Sequence, residues 1–328
     1  MISEFMLQQT RIETVLPYYD RFLGVFPSLP HLARAPLQRV LKLWAGMGYY
    51  ARARNLHAAA RIIMKDWGGK IPSTKDDLRS LPGFGSYTAG AVASIAFNQR
   101  AAALDGNVKR ALSRLSGISD SVSPLPKKRL LENFSEDLIP EGYASEFNQA
   151  LMDLGATVCL PARPKCPSCP VKKSCSFPAS EKKPAKRQER NRREEVWSVA
   201  LIENRGRFLI HRKDGGGLLA GLWQFPTVVN PPGQKEARQK EVLRMGLRNL
   251  FGIKTKFQKA LPPLQHSFTH IQATLSPYLL SLLPAQKAPQ TALRLPARWV
   301  KLSDLSRYPV SRAMMKVADL LKSRFNGV

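Results

Sequence analysis

Apolar residues recur every three or four positions through most of the first half of the chain. Ile12, Val15, Leu16, Tyr19 and Phe22 fall on one helical face, and FPSLPHL breaks that run. Helical spacing resumes in LQRVLKLWAG, ARNLHAAARIIMKDW, KDDLRSL, YTAGAVASIAF and NVKRALSRLSGI, each closed by glycine or proline. Few segments alternate with period two, so residues 1–158 are predicted to be all-α. From Val196 the texture changes. VWSVALI and FLIHR read as strands joined by a turn at Asn204 to Gly206, KEARQKEVLRMGLRNLF as a helix, FTHIQATLSPYLLSLL as a long strand pair, and SRAMMKVADLLKSRF as a closing helix. A second, α+β domain over residues 196–328 is the simplest account, which makes the chain multidomain.

Between these halves lie a cysteine segment, 159–175, and a linker, 176–195. The stretch SEKKPAKRQERNRREE, Ser180 to Glu195, holds seven basic and four acidic residues and nothing apolar larger than alanine or proline. Such a composition cannot bury a core. No run approaches the roughly 18 apolar residues a membrane span needs, and no basic segment precedes an apolar one as in a targeting signal. A soluble cytoplasmic protein with no membrane partner is expected.

Charge narrows the partner. Fifty-one Lys and Arg against twenty-four Asp and Glu give a net charge of +27, spread along the chain, and a polyanion is the first inference. The four cysteines all fall between Cys159 and Cys175. A disulfide scaffold would staple distant segments, so this crowding reads as a local ligand set. Their spacing is C-x6-C-x2-C-x5-C through Cys159, Cys166, Cys169 and Cys175. Four thiolates at that spacing can close around tetrahedral zinc or a cubic iron–sulfur cluster, although zinc ribbons usually pair two CxxC units.

In LPGFGSYTAG, Gly83 and Gly85 make a tight turn between two helices. Two glycines let the turn adopt positive φ and aim backbone N–H groups outward beside a helix N-terminus, a good phosphate site; a plain helix–turn–helix corner is the simpler reading. Twenty residues beyond Gly85, Asp105 stands just ahead of a helix in LDGNVKR. Alone it is an N-cap. At that spacing from the glycine turn, the chain resembles the helix-hairpin-helix DNA glycosylases, whose signature is LPGxG followed by an aspartate at the mouth of the active site. The cysteine spacing is similar to the 4Fe–4S loop of endonuclease III and its relatives, which implies a [4Fe-4S] cluster held by the four cysteines. Arg163, Lys165, Lys172 and Lys173 beside them would present positive charge to a DNA backbone.

Within that superfamily, the lyase relatives carry a nucleophilic lysine two residues after the second hairpin glycine, where this chain has Tyr87. SEFMLQQT, WAGMGYYARARNLH, LDGNVKR and FNQALMDLGA resemble the adenine DNA glycosylase (MutY) family, and with the second half included the likeness covers nearly the whole chain. It implies a monofunctional enzyme of base excision repair that removes adenine opposite 8-oxoguanine or guanine in duplex DNA, working as a monomer at the bacterial nucleoid. Glu4, among Phe5, Met6 and Leu7, would be the acid that protonates adenine, its pKa raised by an apolar pocket. Asp105 would stabilise the oxocarbenium-like sugar, and Asn107 would orient Asp105 or the attacking water.

The LQQT and GYY segments would hold the flipped strand. Leu7 would line the adenine pocket with Gln8 and Tyr87, Gln9 and Tyr49 would wedge into the stack, Thr10 would face the opposing lesion, and Gln149 would hydrogen-bond the adenine edge. The second domain is similar to the Nudix-like domain with which this family recognises 8-oxoguanine, most visibly in GLLAGLWQFP. HSFTH matches the family's FSH loop, with Thr269 in the serine position between Phe268 and His270. The helix KEVLRMGLRNLFG lacks the glutamates of a Nudix hydrolase, so nucleotide hydrolysis is not expected. Family members carry roughly thirty further residues ahead of SEFMLQQT, so a truncated or late-started chain is expected, with Glu4 close to an end that would fray. Two alternatives follow: a damaged-DNA binder without turnover, and an endonuclease III-like lyase.

Overall fold

The computed structural model describes residues 1–118, 122–177, 192–283 and 295–325. Twelve α-helices and eight strands are formed among them. The first ten helices are α1 (Ile2–Leu7), α2 (Ile12–Val25), α3 (Leu29–Arg34), α4 (Leu37–Trp44), α5 (Tyr50–Asp66), α6 (Lys75–Arg79), α7 (Ser86–Phe97), α8 (Gly106–Ser116), α9 (Pro124–Leu138) and α10 (Ala144–Asp153). No strand occurs among the described residues of 1–158. FPSLPHL breaks the helical run only briefly, because its second half starts α3, where Pro30 sits in the first turn and gives up no intrahelical N–H bond.

The remaining elements are β1 (Arg193–Asn204), β2 (Arg207–Arg212), β3 (Trp223–Gln224), β4 (Thr227–Asn230), α11 (Glu236–Phe251), β5 (Thr255–Ala260), β6 (Leu264–Ser267), β7 (Ile271–Leu282), β8 (Ala297–Val300) and α12 (Arg312–Phe325). Their mixed sheet runs β3-β2-β1-β7-β5, with β4 also on β1, β6 on β7 and β8 on β2. The long central strands β1 and β7 are parallel, from Arg193 opposite Ile271 to Glu203 opposite Ser281. Two expectations change here. The segment read as a strand pair is one strand: Pro277 stays extended opposite Val199, and its carbonyl accepts from Leu261 N–H at 2.9 Å. The hairpin partner is β6, and Phe268 to His270 make the bend. Most of the charged linker lies outside the described residues, but its end, Arg193 to Glu195, is already β1.

The chain divides into two compact units that do not follow its linear order. The first contains residues 1–19, 25–34 and 55–188; the second contains 20–24, 35–54 and 189–328. In the first, Ala102, Leu104, Val108, Leu112, Leu131 and Leu151 form a buried cluster. In the second, Ala200, Ile202, Leu209, Leu243, Leu247, Phe251, Tyr278 and Leu280 close the sheet against α11. His211, 5% exposed, is buried in this unit edge-on to Phe251, and burial depresses its pKa to about 4. The loop before β3 packs on the early helical segments of the same unit. Trp223 Nε1 donates to Gln38 Oε1 at 2.8 Å, Gln38 Nε2 to the Gly221 carbonyl at 2.8 Å, and Arg54 Nη1 to the Ala220 carbonyl at 2.8 Å. Among the described residues no helix is long and apolar enough to cross a membrane.

Candidate active site

The turn between α6 and α7 is built around a single left-handed residue. Gly83 has φ +82°, and a Cβ there would lie 2.6 Å from Asn55 Cβ and 2.7 Å from Phe5 Cε1. Only glycine fits. Gly85 differs from expectation: it is extended, with φ −72° and ψ 172°, and serves as the N-cap of α7. A helix entry needs that conformation, which any residue can adopt, so positive φ is confined to Gly83. The turn clamps α1, since Phe5 is fully buried and meets Phe84 edge-on at 5.2 Å.

Behind the turn opens a cavity of about 520 Å³ lined by Leu7, Gln8, Gln9, Gly83, Gly85, Tyr87, Thr88, Asp105 and Gly106. Its size is in the range of small-molecule sites. Gln8 Nε2 donates to Thr88 Oγ1 at 3.0 Å. Half-buried Glu4 joins the cavity through Tyr87, whose hydroxyl donates to Glu4 Oε2 at 3.0 Å. Burial, then the charge and hydrogen bond of Glu4, then the charge of Asp105, push the Tyr87 phenol far above its ordinary value. Tyr87 is therefore a permanent donor that senses both candidate carboxylates.

Asp105 is both a cap and a cavity wall. Its Oδ1 accepts from Val108 N–H at 2.6 Å at the start of α8. Two residues not singled out by sequence fix the segment leading to it. A Cβ at Gly90 would fall 2.0 Å from the Ala102 carbonyl oxygen, so its absence lets residues 101–104 lie directly on α7. Asn148, 1% exposed, accepts from Ala103 N–H at 3.0 Å and donates to the Ala101 carbonyl at 3.1 Å. Gly90 belongs to the glycine motif and Asn148 precedes Gln149 in FNQA, so both stood beside noted residues.

Asn107, Gln149 and Thr10 stand apart from the cavity walls. The Asn107 carboxamide oxygen accepts from Arg110 Nη1 at 3.0 Å. Gln149 is exposed on α10 and donates to Ser145 Oγ at 3.1 Å. Thr10 closes a turn through its N–H on the Leu7 carbonyl at 3.1 Å. Gln9 is exposed with φ +56°, uncommon for a residue with a side chain.

Two arginines one turn apart on α8, neither of them a candidate from sequence, bind the cysteine segment. Arg110 donates from Nε to the Cys159 carbonyl at 2.9 Å and from Nη2 to the Gly155 carbonyl at 2.6 Å. Arg114 Nη1 reaches the Leu160 carbonyl at 2.8 Å and Cys159 Sγ at 3.3 Å. Cys159, Cys166, Cys169 and Cys175 are unpaired thiols around one small apolar cavity of about 40 Å³. Among the described residues no three Cys, His, Asp or Glu side chains are drawn to metal-binding distance. Four soft donors from a short segment, sharing one cavity with a guanidinium beside it, nevertheless suit an iron–sulfur cluster.

In the second unit, Tyr49 lies between α4 and α5 with φ +49° and is 42% exposed. Its hydroxyl accepts from Thr269 Oγ1 at 2.8 Å. Thr269 and exposed His270 form the tip of the β6–β7 hairpin, closed by Phe268 N–H on the Ile271 carbonyl at 2.8 Å. Phe268 itself is turned into support: it stacks on Trp197 at 5.2 Å, and Trp197 Nε1 donates to Glu195 Oε2 at 2.7 Å.

Residues 2–141 match the helix-hairpin-helix superfamily of base excision DNA repair proteins, and residues 198–320 match the NUDIX domain. The fold thus joins a base excision repair domain to a Nudix-type α+β domain. Over most of its length the chain is similar to curated adenine DNA glycosylases. Identity to the Homo sapiens protein is 35%, covering 96% of this chain and 66% of that one; to the Mus musculus protein it is 36%, covering 99% and 72%. A bacterial protein, from Buchnera aphidicola subsp. Schizaphis graminum, is 30% identical over 98% of this chain and 90% of its own. The chain belongs to the adenine DNA glycosylase family.

Proposed function

We propose that the chain is a monofunctional DNA glycosylase that hydrolyses the N-glycosidic bond of adenine paired with 8-oxoguanine, or with guanine, in duplex DNA. The observation that carries this reading is Tyr87, which lines the cavity at the position a lyase would give to lysine, and which is hydrogen-bonded to Glu4 and influenced by Asp105. A phenol held neutral cannot form a Schiff base, and it fixes one carboxyl oxygen of Glu4 while the other remains for a proton.

The reaction needs two carboxyl groups in opposite roles. Adenine is a poor leaving group as an anion, so Glu4 protonates the purine while Leu7 and Gln8 line the space it occupies. As the bond breaks, Asp105 faces the positive sugar with Oδ2, its Oδ1 being occupied by Val108 N–H. Water then attacks the sugar, with Asn107, two residues beyond Asp105, to orient Asp105 or the water, which requires its carboxamide to leave Arg110. Flipping the nucleotide costs a few kcal/mol of stacking, offset by wedging of Gln9 and Tyr49, with Thr10 toward the opposing strand. Gln149 reads the adenine edge, which requires its side chain to leave Ser145. Thr269, between Phe268 and His270, reads the opposing lesion.

Gly83 and Gly85 offer backbone N–H groups to the DNA phosphates. Cys159, Cys166, Cys169 and Cys175 would hold a [4Fe-4S] cluster, which supplies structural anchoring rather than a redox step; Arg110 and Arg114 tie that loop to the helix Asp105 caps. The net charge of +27 suits association, as a monomer, with chromosomal DNA in a bacterial cytoplasm. The test is a duplex with a single adenine opposite 8-oxoguanine, analysed with and without alkali. Strand scission only after alkali is expected. Scission without alkali would mean a lyase, and tight binding with no abasic product would mean a binder without turnover; either overturns the proposal.

A further inference from the structure

The turn carrying Tyr49 rests on a buried cation. Arg52 is 6% exposed, and its guanidinium carbon lies 5.1 Å from the Tyr49 ring centroid and 5.5 Å from that of Trp44. Arg52 Nη2 donates to the Gly48 carbonyl at 3.2 Å, and Trp44 Nε1 donates to the same oxygen at 3.1 Å. The backbone N–H of Arg52 closes the bend on the Tyr49 carbonyl at 2.9 Å. Burial lowers the guanidinium pKa to about 10, so it remains charged near neutrality. Gly48 has φ +80° and Tyr49 φ +49°, two consecutive left-handed residues, and the second bears a large exposed ring. Such a conformation persists only where the surroundings over-determine it.

We propose that Arg52 is the positioning residue of the Tyr49 wedge, holding the strained bend by its bond to the Gly48 carbonyl and the exposed ring by its cation over the aromatic face. The inference rests on reading Tyr49 as a residue that enters the base stack. A ring ordered before it meets DNA loses little rotational freedom on insertion, so the gain should be read in binding and stacking rather than in bond cleavage. Arginine suits this task better than lysine, because its planar fork can lie over a ring and still donate in plane to a carbonyl.

The test is a double-mutant cycle between Arg52 and Tyr49, read by affinity for a duplex with adenine opposite 8-oxoguanine. Fluorescence of a 2-aminopurine next to the mispair reports stacking by Tyr49, and urea midpoints accompany each variant. Arg52→Met is expected to weaken binding about tenfold and to blunt the fluorescence change, with the saturating single-turnover rate kept. Arg52→Lys should recover part of the affinity. In a Tyr49→Ala background neither substitution should cost more. Should Arg52→Met fail to fold, Arg52→Lys carries the cycle, with a loss of about threefold that vanishes without the Tyr49 ring. Equal losses with and without Tyr49, or no loss at all, would overturn the Arg52 link alone. An unaffected Tyr49→Ala protein would overturn the wedge reading and this inference with it.

Discussion

The bend at Gly83 in the first unit and the hairpin tip at Thr269 in the second both present candidate DNA contacts, but they are made rigid by opposite means. Gly83 is fixed by exclusion: a side chain there would collide with Asn55 and Phe5, which two other helices bring against the turn. Thr269 is fixed by a chain of partners, Phe268 on Trp197, Trp197 on Glu195, and Thr269 on Tyr49, 220 positions away in sequence. Steric exclusion gives a support that cannot be relaxed by one bond. A relay of partners gives one that can be tuned.

The strongest test of this contrast lies at the chemistry the first bend supports. Glu4→Gln should lower single-turnover adenine release by about 10²–10⁴-fold, with binding to the mispaired duplex retained. Unchanged product formation would remove Glu4 from the acid role. Next in size, Gly83→Ala should destabilise the protein by roughly 2–4 kcal/mol, from the positive φ and the overlap with Asn55 and Phe5 together, measurable as a lower urea midpoint. A stability loss below about 1 kcal/mol would mean that the bend relaxes, erasing the difference between the two supports.

The second unit offers a pH test. His211 is depressed to about 4 in the fold, whereas an unfolded chain titrates near 6.5. Below 6.5 the unfolded state takes up a proton that the folded state refuses, so this contribution to stability is whole above pH 6.5 and is lost as the pH falls toward 4. Between pH 7 and 5 the loss should be about 2 kcal/mol, absent from His211→Gln. An identical pH dependence in both proteins would show that His211 does not carry it. Smallest of all, Thr269→Val should cost about 1 kcal/mol of preference for 8-oxoguanine over guanine opposite adenine, measured as the ratio of binding constants. A loss as large as that of Glu4→Gln would mean that the tip is as unforgiving as the glycine bend.

Helices, glycine turn and cysteine spacing were legible in sequence because each is written in one short continuous stretch of chain. Helices α9 and α10 lie beyond the last periodic run read from sequence, and α3 hid behind prolines that a first turn tolerates. What sequence did not reveal was which partner each side chain takes, whether one helical turn away or far along the chain. Gln149 is folded back on Ser145, Asn107 is engaged by Arg110, and Asn148, beside the residue that drew attention, is the one that holds the segment before Asp105. Phe268 shows the same limit: its place in a motif was visible, but its stacking on Trp197 depends on β1 and β7 lying parallel, which no local pattern encodes.

The composition of the second unit bears on how the gene can be dissected. Its sheet begins at Arg193, yet Gln38, Leu41 and Arg54, which meet Trp223, Gly221 and Ala220, are encoded far upstream. An expression plasmid that opens its reading frame in the charged run would deliver every strand and leave the indole of Trp223 without its glutamine and two loop carbonyls without their donors. Such a fragment should be judged as a different protein, and assays of lesion recognition on it would measure the absence of residues 35–54 as much as the properties of the sheet.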